Sequence, residues 1–263
     1  GAFGQMAANW FGRPGERMTL VGVTGTNGKT TTTYLLKGVL EAVCQTKVGL
    51  IGTNQNLIGQ QALPAQRTTP DAYTLQSLLA RMEEAGCTHV VMEVSSHALE
   101  QGRAAGLTFA AAVFTNLTQD HLDYHQGMES YFQAKARLFL ELPRADKAMA
   151  VNADDAWGRR LLELCPTALS FGLQKGAPNR RHLWGELLSS TTEGCHLRMS
   201  LEDMRKCLRL FGVKADTMSN ELVEARLGEN VEADPARFIR IWVDNPNKEM
   251  KTLYLIIFSQ KLY

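Results

Sequence analysis

Lys29 and Thr30, an ammonium and a hydroxyl in adjacent positions behind two glycines, are the residues of this sequence best suited to handling phosphate. They lie in VGVTGTNGKTTTTYLLKGVL, residues 21–40, where an apolar run meets a Gly-rich turn and then a stretch of helical spacing. Gly25 and Gly28 lack a Cβ, so backbone N–H groups there can close on an anion. The following helix aims the positive end of its dipole at the same point. A lysine placed there supplies charge for the terminal phosphates, and the threonine hydroxyl a ligand for Mg²⁺. The stretch departs from the strict G-x-x-x-x-G-K-S/T spacing, because the position five residues before Gly28 is Val23. Phosphate binding is still the expectation, with a glycine arrangement of its own.

More reactive side chains follow the later apolar runs. EVSSH brings Glu93, Ser95 and His97; TNLTQDHLDYH brings Asn116, Asp120, His121, Asp123 and His125; NADD brings Asn152, Asp154 and Asp155. Open α/β sheets bind ligands beyond the carboxyl ends of their strands, where all these residues would gather. Each group alone has an ordinary explanation: a buried Glu paired structurally, a solvated loop, and a helix N-cap for NADD. Together, downstream of a phosphate loop, they point to a Mg·nucleotide site.

The positioning elements are legible as a rhythm. Short, mostly unalternating apolar runs occur at 18–23, 47–52, 89–94, 111–116, 147–152 and 168–173, as strands buried on both faces require. Between them the spacing predicts helices over 29–43, 71–85, 129–141 and 154–164, the second framed by Pro70–Asp71 and Gly86. The fold class this implies is α/β, a doubly wound and mainly parallel sheet. Residues 176–200 read as a β-hairpin at the domain edge. Residues 201–263 lose the rhythm and are expected to form an irregular tail, with short helices in LEDMRKCLRLFG and SNELVEARLG and a strand in TLYLIIF.

Composition sets outer bounds. With 263 residues, 44% of them hydrophobic, a sizeable core is available. A formal net charge of +1 gives no footprint for nucleic acid or an anionic membrane, and no apolar run is long enough to span a bilayer. The first residues show no secretory signal. Five cysteines without a C-x-x-C pair argue for a reducing, cytoplasmic setting and against a zinc knuckle.

Five segments in order, QRTTPDAYTLQ, MEVSSHALEQGR, FTNLTQDHLDYH, YFQAKARLF and NADD, together with TGTNGKTT, resemble the ATP-dependent Mur ligases of bacterial cell-wall synthesis. The likeness is strongest to the ligases that add the third residue of the peptide, and it covers residues 1 to about 200. It implies the P-loop-type central domain of that family and explains the missing glycine as a loop of a different make. It also implies that Gly25, Thr26, Asn27, Gly28, Lys29, Thr30 and Thr31 hold ATP, that Thr30 and Glu93 hold one Mg²⁺, and that His121 helps hold a second. Lys135 falls where the family carries a carbamylated lysine, which requires a lowered amine pKa; by spacing alone it would be a helix-surface amine. Thr68, Thr69, Ser95, Gln101 and Arg103 match positions holding the UDP-N-acetylmuramoyl dipeptide, with Asn116 and Asn152 toward the adenine. His97 and His125 are left as packing or supporting residues. The implied reaction joins a diamino acid to the dipeptide's terminal carboxylate through an acyl phosphate.

The pattern also departs from the family. Only a short segment, 1–17, precedes the loop and reads as a remnant linker before the ATP-binding region 18–200. After Ser200 the family's later motifs are missing, so 201–263 reads as a divergent or truncated tail. DNPN at 244–247 is similar to a family motif for the incoming amino acid, but without its context it reads as a Pro-Asn turn. Two other readings stay open: a folylpolyglutamate synthetase-like ligase, and a non-catalytic nucleotide-binding module.

Overall fold

A computed structural model of the chain describes residues 2–120, 124–173, 182–191, 194–199 and 232–233. The first helix, α1 (Ala2–Trp10), lies within the segment expected as a linker. Its small residues Gly4, Ala7 and Ala8 are buried, and a Cβ on Gly4 would come within 2.4 Å of the Ala105 carbonyl oxygen. Its large apolar residues Phe3, Met6 and Trp10 face outward. That inverts the usual pattern and hides the helix from a reading by amphipathicity.

The strand–helix alternation then unfolds as β1 (Thr19–Thr24), α2 (Lys29–Cys44), β2 (Lys47–Ile51), β3 (Gln55–Ile58), β4 (Gln61–Pro64), α3 (Ala72–Glu84) and β5 (Cys87–Glu93). It continues through α4 (Ser96–Glu100), β6 (Phe109–Phe114), α5 (Met128–Leu140), β7 (Pro143–Asn152), α6 (Ala156–Leu164) and β8 (Leu169–Gly172). It ends among the described residues with β9 (His182–Thr191), β10 (Gly194–Met199) and β11 (Glu232–Ala233). The four expected helices are α2, α3, α5 and α6, each within two residues of its expected ends.

The sheet order is β11-β10-β9-β8-β7-β6-β1-β5-β2-β3-β4. The run from β9 to β2 is parallel throughout. Antiparallel strands finish both sides, β3 and β4 beyond β2, and β10 and β11 beyond β9. The expected hairpin is the β9–β10 pair, and β9 also extends the parallel sheet by pairing with β8. The β3–β4 hairpin was not anticipated: Gln55, Gln61 and Pro64 in such short segments give no apolar alternation. The expected elements of 201–263 and the DNPN segment lie outside the described residues; β11 is described there and was not expected.

Strand β1 occupies the middle, with Val21 facing Val91 of β5 on one side and Ala111 of β6 on the other. Leu20, Val23, Val90, Val91 and Phe114 are fully buried there, as apolar strands in a parallel sheet must be. Helix α3 starts as its sequence predicts: the Asp71 carboxylate accepts from Tyr73 N and Thr74 N, satisfying amides that the first turn leaves open. The consequence for function is positional. The carboxyl ends of β5, β1 and β6 lie side by side, and the loops leaving them share one rim.

Candidate functional site at the strand ends

The phosphate loop is held in place by the neighbouring strand. Gly25 has φ +147°, and a Cβ there would fall 1.9 Å from Thr115 Oγ1, so only glycine fits between β1 and β6. Gly28, at φ +80°, caps α2. Thr26 N donates to the Asn116 carbonyl at 2.9 Å, and Asn27 N to Asn116 Oδ1 at 2.9 Å. Asn116 Nδ2 and Thr115 Oγ1 both return hydrogen bonds to the Asn27 carbonyl, at 3.2 and 2.7 Å. The loop's shape is therefore built into the fold. Asn116, expected toward the adenine, spends its amide on this clamp.

At the start of α2, Lys29 Nζ donates to the carbonyls of Gly25 at 3.0 Å and Thr26 at 2.7 Å. Burial lowers this ammonium below its ordinary pKa, opposed by the charges of Glu93 and Asp120. Thr31 is half-buried in the first turn of the helix. Thr30 Oγ1 donates to Glu93 Oε1 at 2.9 Å, which brings together the two residues expected to hold a metal. Glu93 is fully buried, and its oxygens also accept from Thr53 N at 3.0 Å and Thr53 Oγ1 at 3.1 Å. Thr53 was missed by the sequence reading. It sits just past the end of β2, and the strand-end rule that flagged the other residues applies to it as well.

A glycine again makes room. A Cβ on Gly52 would stand 2.5 Å from Glu93 Oε1. Among the described residues no three His, Cys, Asp or Glu side chains form a cage for a metal. One carboxylate beside one hydroxyl at a phosphate loop is nonetheless the donor set that suits Mg²⁺, which takes its other ligands from phosphate and water. The fit is to a metal arriving with a nucleotide. His121 lies outside the described residues.

Lys135 is on α5, only 1% exposed, and its Nζ donates to the Gly25 carbonyl at 2.8 Å. Two lysines thus meet at one carbonyl of the phosphate loop, which refutes the surface-amine alternative for Lys135. The Tyr131 ring lies 4.6 Å from Lys135 Nζ, and the Tyr131 hydroxyl is 3.3 Å from Thr26 Oγ1. Burial first, then the charge of Lys29, hold the Lys135 amine well below its usual value of 10.5.

This has a measurable sign. The unfolded chain keeps the Lys135 proton up to the ordinary value, whereas the native chain releases it earlier, so this group's contribution to stability rises with pH through that interval. Lys135→Met is expected to be more stable than the parent near pH 6. The difference should shrink as pH approaches about 10. Urea unfolding of both proteins across that range, in degassed buffer, checks it; a pH-independent difference would remove the buried charge from the account.

A second cluster continues from Glu93. Thr53 Oγ1 lies 3.0 Å from Thr68 Oγ1, and Thr69 Oγ1 donates to the Glu93 carbonyl at 2.8 Å. Ser95 N donates to Thr69 Oγ1 at 3.0 Å, and Ser95 Oγ caps α4 by accepting from Ala98 N at 3.2 Å. Arg103 donates from NH1 to the Thr69 carbonyl at 2.9 Å and from Nε and NH2 to Gln101 Oε1 at 2.9 and 2.6 Å. Gln101 Nε2 in turn donates to the Tyr124 hydroxyl at 3.1 Å. All five residues expected around an acyl substrate stand together, joined through Glu93 to the phosphate loop.

The NADD segment is different. Asp155 caps α6 by accepting from Gly158 N at 2.9 Å and also accepts from Leu117 N at 3.1 Å. Asp154 accepts from Leu173 N at 2.7 Å, and Asn152 Nδ2 donates to the Thr115 carbonyl at 2.8 Å. Here the ordinary explanation, a cap and its supports, accounts for the geometry. His97 stacks at 4.1 Å on Tyr124, and His125 is buried beside Tyr131.

Comparison with known proteins gives the family of the chain. The chain is 52% identical over 177 residues to a UDP-N-acetylmuramoyl-L-alanyl-D-glutamate–2,6-diaminopimelate ligase of Gloeobacter violaceus, covering 67% of this chain and 36% of the relative. It is 44% identical over 214 residues to a ligase of the same name from Lawsonia intracellularis, covering 80% and 44%. The chain thus spans well under half the length of these relatives. A solved ligase structure of that name superposes with a TM-score of 0.59 at 32% identity, covering 70% of this chain and 38% of the other. E. coli FolC with DHPP and ADP superposes at 0.54 over 75% and 50%, but at 18% identity it shares the fold alone. The profile of the Mur ligase middle domain matches residues 23–222, and the chain therefore belongs to the Mur ligase family.

Proposed function

We propose that this chain is the ATP-binding part of an amide-forming ligase that adds a diamino acid to UDP-N-acetylmuramoyl-L-alanyl-D-glutamate. The names of its relatives favour 2,6-diaminopimelate as that amino acid. One observation carries the reading: Lys29, Thr30, Glu93 and Lys135 meet at one loop, and hydrogen bonds lead from Glu93 through Thr53 to Thr68 and through Thr69 to Arg103. A triphosphate and an anionic acyl substrate would thus lie end to end.

The chain's own residues would then act mainly by position and charge. The backbone amides at 28–30, where α2 begins, would take the phosphates, while those of Thr26 and Asn27 stay on Asn116 and hold the loop in shape. Lys29 would leave the loop carbonyls to meet them, because a buried ammonium gains from a charged partner. Thr30 and Glu93 would hold a Mg²⁺ that arrives with the nucleotide and offsets charge on its phosphates. Arg103, Gln101, Ser95, Thr68 and Thr69 would orient the substrate so that its terminal carboxylate faces the γ-phosphate. That carboxylate displaces ADP to give an acyl phosphate, and the incoming amine then displaces phosphate. The depressed Lys135 amine is chemically suited to take up CO₂ as a carbamate, which would supply an anionic oxygen pair to a metal; His121 would be a further ligand. No described helix is long and apolar enough to cross a membrane. We place the reaction in the cytoplasm.

Phosphate release from ATP is expected only when UDP-N-acetylmuramoyl-L-Ala-D-Glu and the diamino acid are both present. Nucleotide binding with no turnover under any substrate pair would leave a binding module. Turnover with a folate would replace the substrate assignment.

A further inference from the structure

Between the two clusters lies a side-chain assembly that neither has absorbed. His125, 3% exposed in the loop before α5, places Nε2 at 2.9 Å from Ser96 Oγ and Nδ1 at 3.3 Å from Glu100 Oε2. Ser96 and Glu100 are the two ends of α4. The residue types are those of an acyl-transfer triad, but Ser96 is 1% exposed and no acyl donor can reach it. The assembly must do something other than hydrolysis.

Its connections show what. On one side, α4 is capped by Ser95 and leads directly into Gln101 and Arg103, which belong to the acyl-substrate cluster. On the other, the His125 ring stacks against Tyr131 at 4.9 Å, and the Tyr131 hydroxyl reaches Thr26 of the phosphate loop while its ring faces Lys135. The ring also meets Tyr124 at 5.0 Å, and the Tyr124 hydroxyl accepts from Gln101. With Nδ1 toward Glu100 and Nε2 against the Ser96 hydroxyl, one ring ties both ends of α4. A shift of Tyr131 when the phosphate loop fills would press on this ring, and its contacts to Ser96 and Glu100 would pass that push to α4.

We propose that His125 is a positioning residue that couples the phosphate loop to the acyl-substrate cluster, so that nucleotide and substrate tighten one another's binding. Such coupling is a free energy shared by two sites, and it is reciprocal. The substrate half of this inference rests on the proposed reaction; the nucleotide half does not.

The test uses the whole chain and Ser96→Ala, which removes one anchor while keeping the packing. Affinity for UDP-N-acetylmuramoyl-L-Ala-D-Glu is measured with and without saturating Mg²⁺ and β,γ-imido-ATP. The parent is expected to bind about tenfold more tightly with nucleotide. Ser96→Ala should bring that ratio close to one, with affinity for nucleotide alone little changed and Tm lowered by only several degrees, as loss of one buried hydrogen bond requires. His125→Gln, whose amide can occupy the Nε2 position, should restore part of the ratio that His125→Ala loses. An unchanged ratio in Ser96→Ala would overturn the coupling while leaving the proposed reaction standing.

Hydrogen exchange supplies the arm that needs nucleotide only. Nucleotide should slow exchange of the α4 amides in the parent but not in Ser96→Ala. If the parent fails to bind the dipeptide, the proposed reaction falls, and this arm alone decides. Protection confined to the phosphate loop and α2 in the parent would overturn the coupling.

Discussion

Lys29→Ala is expected to weaken ATP binding about a hundredfold while the protein stays folded. The side chain is partly buried, and its two hydrogen bonds go to loop carbonyls that backbone geometry already holds. Its contribution to folding is therefore small, and its contribution to binding is electrostatic. Charge-assisted bonds to phosphate oxygens at the end of a helix would be lost together with a cation beside them. Titration calorimetry with Mg·ATP, alongside thermal unfolding of both proteins, separates the two effects. Unchanged affinity would show that the nucleotide lies elsewhere.

Gly25→Ala should damage stability as well as binding. The position has φ +147°, where side chains are strained, and the added Cβ would overlap Thr115 Oγ1. Thr115 cannot turn aside without releasing the Asn27 carbonyl, so the strand end and the loop must part. The cost expected is about 3 kcal/mol, or a fall in Tm of about 10 °C. Nucleotide binding should be lost even where the fold persists, because the amide cradle no longer closes. Gly38→Ala is the control: it lies on exposed helix surface in α2 with nothing within 4 Å of its Cβ. That change should stabilise by about 0.5–1 kcal/mol. If both variants melt like the parent, the close approach of β1 and β6 is wrong.

Much of this site could be read from residues alone, for definite reasons. The β1–α2 turn was visible because glycine, lysine and threonine each do one job there that few other residues can do. The α3 boundaries were visible because Pro70, Asp71 and Gly86 act locally. Glu93 was visible as a carboxylate at a strand end, whereas Lys135 carries no local signature and only the family likeness pointed to it; their meeting at the loop depends on strand order. The clamp made by Asn116 was not legible because its partner, Asn27, is distant in sequence and adjacent only once β6 lies beside β1. Thr53 went unnoticed because half of its contact with Glu93 is a backbone amide, which every residue type offers. The β3–β4 hairpin stayed hidden because its strands are only four residues long: β4, at the sheet edge, is mostly exposed, and β3 buries the polar Asn56 together with Leu57 and Ile58, so neither shows an apolar alternation.

The central place of β1 bears on how the molecule is made. Its partners are about 70 and 90 residues downstream in register, Val21 with Val91 and Val21 with Ala111. Closing loops of that length costs entropy before any pairing rewards it, so the folding rate should be slow for a domain of this size. During synthesis, the earliest strand must wait for two later ones to emerge. A ribosome-bound chain that stops short of residue 115 would already carry every residue from Gly25 to Thr31, yet could not grip a nucleotide.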